Sequence, residues 1–140
     1  MLMDRANRQQ RYLSGEQAEA LACQYLLDQG LQLIDKNFRS RRGEIDLIMQ
    51  DNGCIVFVEV RFRRSQAFGG AAASITAKKC QRLTAAAALY LQSRGYNASS
   101  PARFDALAIS PGNKRLAGAA EHSESRLNDY AIDWIQNIIM

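Results

Sequence analysis

The chain predicts one mixed α/β domain in which a helix leads into three antiparallel strands, followed by a second helix and a fourth strand. Three observations carry this. A capped amphipathic run spans Ser14 to Gly30, and an Asn52-Gly53 turn sits between two apolar strand-like runs. An alanine-rich stretch then separates that hairpin from another apolar run near Phe104. A long helix after a hairpin carries the chain back across the sheet, so the last strand can lie beside the hairpin strands.

Each element has its own signal. Ser14-Gly15-Glu16-Gln17 reads as a capping box, and Ala18, Leu21, Ala22, Tyr25 and Leu26 recur at helical spacing until Gly30 stops the run. Leu31 to Arg39 reads as a strand, with a turn over Ser40 to Gly43. Asn-Gly is the strongest short hairpin signal because both residues tolerate positive φ. Ser65 to Ser74, with Gly69-Gly70, is expected to be a mobile loop. Ile75 to Arg94 predicts the second helix, ending at Gly95, and Asn97 to Pro101 a turn. Phe104 to Ile109 predicts a strand closed by Ser110-Pro111-Gly112-Asn113, and Lys114 to Ser125 a polar loop. Tyr130, Trp134 and Ile138 recur every fourth residue, so Leu127 to Ile139 is expected to be a short amphipathic helix. No repeat or linker divides residues 1–140, and residues 1–13, with Arg5, Arg8 and Arg11, read as a basic arm.

Composition narrows the function classes. A chain of 140 residues with 47% hydrophobic and 23% charged residues can bury one core without staples. No apolar run approaches the roughly 18 residues of a membrane span. Met1 to Ser14 lacks a secretory apolar region, so a cytoplasmic location is expected. Cys23, Cys54 and Cys80 are far apart and form no C-x-x-C pair, which fits free thiols rather than zinc or disulfides. His122, the only histidine, sits in a polar segment and reads as a surface residue. A Ser-His-Asp triad or a multi-histidine zinc site is not indicated.

Charge within the strands is more informative. Side chains two apart share a face, so Glu44 and Asp46 point one way on the second strand, as do Glu59 and Arg61 on the third. A two-residue turn at Asn52-Gly53 sets Asp46 opposite Glu59 and Glu44 opposite Arg61. The Glu44–Arg61 pair fits an ordinary ion-pair ladder on a solvated face. The Asp46–Glu59 pair does not, since like charges across a sheet repel, and a divalent cation between them is the economical answer. Lys36, Arg39, Arg41 and Arg42 precede these strands, and Arg61, Arg63 and Arg64 end them. Lys78 and Lys79 open the second helix, and the net charge is +4. Such bracketing suits a polyanion approaching an acidic site, or else a solvated basic face.

The segments Gly15-Glu16, Gly43-Glu44-Ile45-Asp46-Leu47-Ile48, Val56-Phe57-Val58-Glu59-Val60-Arg61 and Arg103-Phe104-Asp105 carry a resemblance. Together they resemble the PD-(D/E)xK nuclease superfamily, which includes restriction endonucleases and Holliday junction resolvases. More closely, the chain is similar to the YraN family (UPF0102). The resemblance implies a restriction-endonuclease-like core. It also implies that Asp46 and Glu59 ligate Mg²⁺ or Mn²⁺ with the Val60 carbonyl, and that Glu16 contributes from the first helix. Glu16 lies nearly opposite the apolar stripe, so Glu19, which flanks the stripe, is its substitute. The implied catalytic set is Glu16, Asp46, Glu59 and Arg61. Arg39, Arg41, Arg42, Arg63, Arg64, Lys78 and Lys79 would contact the nucleic acid. Arg61 departs from the superfamily lysine; it can clamp phosphate or orient water, but it cannot serve as a general base.

The function implied is divalent-metal-dependent hydrolysis of phosphodiester bonds in structured or branched DNA. The alternatives are a non-catalytic nucleic-acid-binding module of the same fold, and an adaptor whose carboxylates serve only in ion pairs. The resemblance also implies a homodimer. The Tyr130, Trp134 and Ile138 patch could supply its seam, or could pack on the sheet instead.

Overall fold

A computed structural model of the protein describes residues 13–64, 75–97, 99–112 and 129–139. The arginines of the basic arm, the segment 65–74 and the polar stretch with His122 lie outside the described residues. Helix α1 (Gly15–Asp28) begins on the expected capping box: the Ser14 hydroxyl accepts from the Gln17 amide, and the Gln17 side chain accepts from the Ser14 amide. Strands β1 (Gln32–Ser40), β2 (Gly43–Asp51) and β3 (Cys54–Phe62) form an antiparallel meander. Helix α2 (Ala77–Ser93) crosses over to β4 (Ala102–Pro111), which runs parallel to β3. β5 (Tyr130–Ile135) then pairs antiparallel with β4, and the sheet order is β1-β2-β3-β4-β5. This mixed sheet flanked by helices is consistent with a restriction-endonuclease-like fold.

Each helix covers one face of the sheet. Ala18, Leu21, Ala22 and Leu26 of α1 pack with Leu47, Met49, Val56, Val58 and Leu107. Leu83, Ala86, Ala87 and Tyr90 of α2 pack with Ile45, Ile48, Ile55 and Phe57 on the other face. β3 is therefore covered on both sides, which explains the unbroken buried run Ile55–Val58. Burying each such side chain contributes roughly 1.5–3 kcal/mol. Tyr90 sets its ring edge-on against Phe38 at 5.1 Å and Phe57 at 6.0 Å, fixing α2 across the sheet.

The last segment corrects one expectation. Tyr130–Ile135 form a strand rather than a helix. The four-residue spacing that suggested a helix is also an even spacing, so Tyr130, Ile132 and Trp134 share one face of a strand and join the α1-side core. Trp134 meets Tyr25 of α1 edge-on at 6.4 Å, and Ile138 packs on the α2 side. The patch is thus built into this fold. A buried carboxylate holds it there. Asp105, with 0% of its surface exposed, accepts from Arg103 Nε at 3.1 Å, Trp134 Nε1 at 3.0 Å and the Asn137 amide at 3.0 Å. Other bounds shift by a few residues: α2 starts at Ala77 on a Thr76 cap, and β4 starts at Ala102.

Gly43 marks where β2 meets α2. A Cβ at this position would lie 3.0 Å from the Arg82 carbonyl oxygen. Alanine there requires the Arg82 backbone to give by a few tenths of an ångström, and such overpacking costs about 1–3 kcal/mol. Gly43→Ala is expected to lower the urea midpoint accordingly; an unchanged midpoint would show that the helix yields freely.

Candidate functional site

The site forms where β2 and β3 part. Their ladder runs from Asp51 opposite Cys54, through the Asn52-Gly53 turn register, to Leu47 opposite Val58. Beyond that pair Asp46 replaces a backbone partner with its side chain: its Oδ2 accepts the Val60 amide at 2.8 Å. Facial alternation breaks at the same point. Ile45 and Ile48 both face α2, while Leu47 and Met49 face α1. Asp46 thereby sits between the faces and meets carboxylates from both sides. Glu59 of β3 and Glu19 of α1 each share a side-chain hydrogen bond with it. Asn37, at φ 55° on β1, bonds Glu19 as well.

Two expected placements are corrected. Glu44 does not face Arg61; it lies 65% exposed and pairs with Arg39 at 3.8 Å, its partner across β1 and β2. Arg61 instead holds Glu59 at 2.6 Å within its own strand. The cause is the break at Asp46, which ends the regular register before position 44 is reached. From α1 it is Glu19, not Glu16, that touches Asp46, while Glu16 is exposed. Glu19 follows the buried Ala18 on the helix surface, so its side chain leans toward the sheet.

Burial and crowding make these acids harder to ionise. Burial, then the Asp46 charge, pushes Glu59 up to about 7, and the same causes raise Glu19 to about 7. Burial also raises Asp46, against the pull of the Val60 amide and Arg61. A carboxylate raised in the folded state binds more protons folded than unfolded between its ordinary value and about 7. Its contribution is therefore present at low pH and lost as pH rises through that window. Without divalent ions, the melting temperature is expected to fall by a few degrees from about pH 5.5 to 7.5, on the order of 1 kcal/mol. Glu59→Gln should flatten that slope in scanning calorimetry; an identical slope would contradict the assignment.

The carboxylates lie in a cleft of about 800 Å³ with a basic rim. Arg41 and Arg42 stand on the β1–β2 turn, which Ser40 Oγ locks by accepting from the Arg42 and Gly43 amides, each at 3.2 Å. Arg63 enters from the end of β3, and Lys79 and Arg82 from α2. Arg39, Arg64 and Lys78 do not line this cleft. Arg82 escaped the sequence reading, although its position three residues past Lys79 sets both on one helical face. Arg61 lies within the cleft, and its buried Nε has no hydrogen-bond partner among the described residues.

The donor chemistry fits a hard cation. Asp46, Glu59 and Glu19 offer only oxygen, and their mutual repulsion is what a divalent ion relieves. Among the described residues no group of three or more His, Cys, Asp or Glu is placed so that it could hold a metal ion. Mg²⁺ does not need one. It takes one or two carboxylates and completes its shell with water and phosphate.

Fold and site define a mixed-sheet α/β domain with half-buried acids in a basic cleft. The model of the family described as "Uncharacterised protein family UPF0102" matches residues 18–109, and the chain belongs to that family. A UPF0102 protein of Pseudomonas paraeruginosa is 45% identical over 136 residues, covering 97% of each chain. One of Stutzerimonas stutzeri is 50% identical over 103 residues, covering 73% of this chain and 86% of its own. One of Nitrosococcus oceani is 54% identical over 95 residues, covering 68% and 77%. Among the described residues no helix is long and apolar enough to cross a membrane.

Proposed function

We propose that this protein is a divalent-cation-dependent nuclease that hydrolyses phosphodiester bonds in structured or branched DNA. The observation that carries the reading is the meeting of Asp46 and Glu59 on the floor of a cleft rimmed by Arg41, Arg42, Arg63, Lys79 and Arg82. Acids inside a basic cleft suit a polyanion that must reach a cation site. Asp46 and Glu59 would hold Mg²⁺ or Mn²⁺, with Val60, which lines the cleft, as the expected third oxygen donor. When bound, the cation supplies Lewis-acid polarisation of phosphate and acidification of water. A guanidinium is no proton acceptor, so Arg61 binds and orients phosphate rather than removing a proton. Glu19 braces Asp46 from the α1 side.

One observation favours a second reading, a nucleic-acid-binding module without turnover: the 2.6 Å contact of Arg61 occupies Glu59, an acid the chemistry needs. Calorimetric Mn²⁺ titration beside a four-way-junction cleavage gel separates the two. A nuclease binds Mn²⁺ at the carboxylates and cuts only when the ion is present. A module binds the junction equally well in EDTA and never cuts. Resolving a branch point takes two incisions, so the nuclease reading includes a symmetric dimer, checked by sedimentation on the junction. It also includes a cytoplasmic setting, in keeping with the free thiols of Cys23, Cys54 and Cys80.

A further inference from the structure

Among the described residues three that are not glycine take a positive φ: Asn37 at 55°, Asn52 at 49° and Asn137 at 56°. Asn52 serves the β2–β3 turn, and Asn137 lies past the end of β5. Asn37 stands in the middle of β1, where extended backbone is the rule. Such a conformation costs free energy in any residue with a Cβ and clusters at working sites. β1 pairs Lys36 with Leu47 and Phe38 with Ile45 with no shift between them, so Asn37 lies directly across from Asp46. Side chains two apart on a strand should share a face. Yet Lys36 joins Leu47 and Cys23 in a groove of about 400 Å³ on the α1 side, while Phe38 meets Tyr90 of α2 at 5.1 Å. β1 therefore turns over at Asn37, on the same rung where β2 turns over at Asp46. The Asn37 side chain bonds Glu19, which in turn bonds Asp46. A kink that only blunted an edge strand against stray pairing would leave β2 regular.

We infer that Asn37 is a positioning residue for Asp46: its left-handed backbone turns both strands over at one rung, and its side chain holds Glu19 against the carboxylate so presented. This rests on the nuclease reading of Asp46 and deepens it by naming what aims that carboxylate. Asparagine suits both tasks. Its short polar side chain opens the left-handed region to it, and its amide offers a donor to a carboxylate. A β-branched residue at this position resists positive φ and pulls β1 straight. β2 is tied to β1 on either side of the rung, so it follows. Asp46 is then drawn toward regular pairing and away from the Val60 amide that it holds at 2.8 Å.

Hydrogen exchange of the Val60 amide, read by NMR against the Ile55 amide, reports the aim of Asp46. Ile55 lies at the other end of β3 and bonds the Pro101 carbonyl at 3.0 Å. A loss of stability alone speeds both amides alike. Asn37→Val should speed Val60 roughly tenfold more than Ile55, whereas Asn37→Gly, which takes positive φ freely, should keep the wild-type ratio. Asn37→Ala, a gentler change in the same direction, supplies the comparison if Asn37→Val fails to fold. Asn37→Gly still lacks the amide on Glu19, so four-way-junction cleavage in Mn²⁺ should lose about tenfold in kcat with KM unchanged. An unchanged exchange ratio in Asn37→Val, or in Asn37→Ala where that stands in for it, overturns the positioning role. So does a wild-type kcat in Asn37→Gly. If the wild type cuts no junction, the nuclease reading fails, and the exchange ratio alone then decides whether Asn37 positions Asp46.

Discussion

Asp46→Asn is expected to abolish cleavage while raising the melting temperature at about pH 7.5. Asparagine keeps an oxygen that can accept the Val60 amide, the 2.8 Å bond that closes the parted strands. It removes the charge that presses on Glu59 and Glu19, and both acids then ionise more easily. Stability at neutral pH therefore rises, on the order of 1 kcal/mol. In the proposed nuclease, cation binding would also lose a ligand. Changing groups that merely support metal ligands costs about 10–100-fold in affinity or activity, so losing the ligand itself should exceed that range. Mn²⁺ should also cease to raise the melting temperature of the variant. Asp46→Ala provides the contrast: it leaves the Val60 amide unpaired, a penalty of about 1–3 kcal/mol. Cleavage by Asp46→Asn at the wild-type rate would end the nuclease proposal. A melting temperature below that of Asp46→Ala would end the account of the site's electrostatics.

The largest effect on stability is expected at Asp105. Alanine there strips partners from Arg103, from the Trp134 indole and from the Asn137 amide in one step. Breaking a buried ion pair by removing one partner costs about 3–5 kcal/mol, because the other charge stays behind. Arg103 retains Asp51 at 3.0 Å, which offsets part of that cost. Urea denaturation should thus show a loss of about 3 kcal/mol or more, with Trp134 fluorescence shifting as its indole loses its acceptor. A loss below about 1 kcal/mol would mean that Asp51 alone satisfies Arg103.

Much of this architecture was legible before any coordinates. The Ser14 capping box, the Asn52-Gly53 turn and its register, and the helix returning to a parallel strand all rest on local chemistry that the sequence displays. Asp46 and Glu59 were legible as a pair because the turn aligns their strands. What escaped was local irregularity. Strict alternation placed Glu44 with Arg61, whereas the backbone breaks step at Asp46, and nothing in the residue types announces that break. The choice between Glu16 and Glu19 turned on how α1 is rotated over the sheet, a tertiary quantity. β5 was misread because a four-residue spacing serves a helix and a strand alike, and only the Asp105 anchor, far off in sequence, decides between them.

The bond from Asp46 to Val60 ties two obligations to one side chain. The same carboxyl group that would ligate the ion also stands in for a missing rung between main chains. Drift at this position is thus punished twice by most replacements, once through activity and once through folding. Asparagine alone separates the debts, so a lineage shedding the chemistry while keeping the scaffold has one easy exit, a single-base change from either aspartate codon.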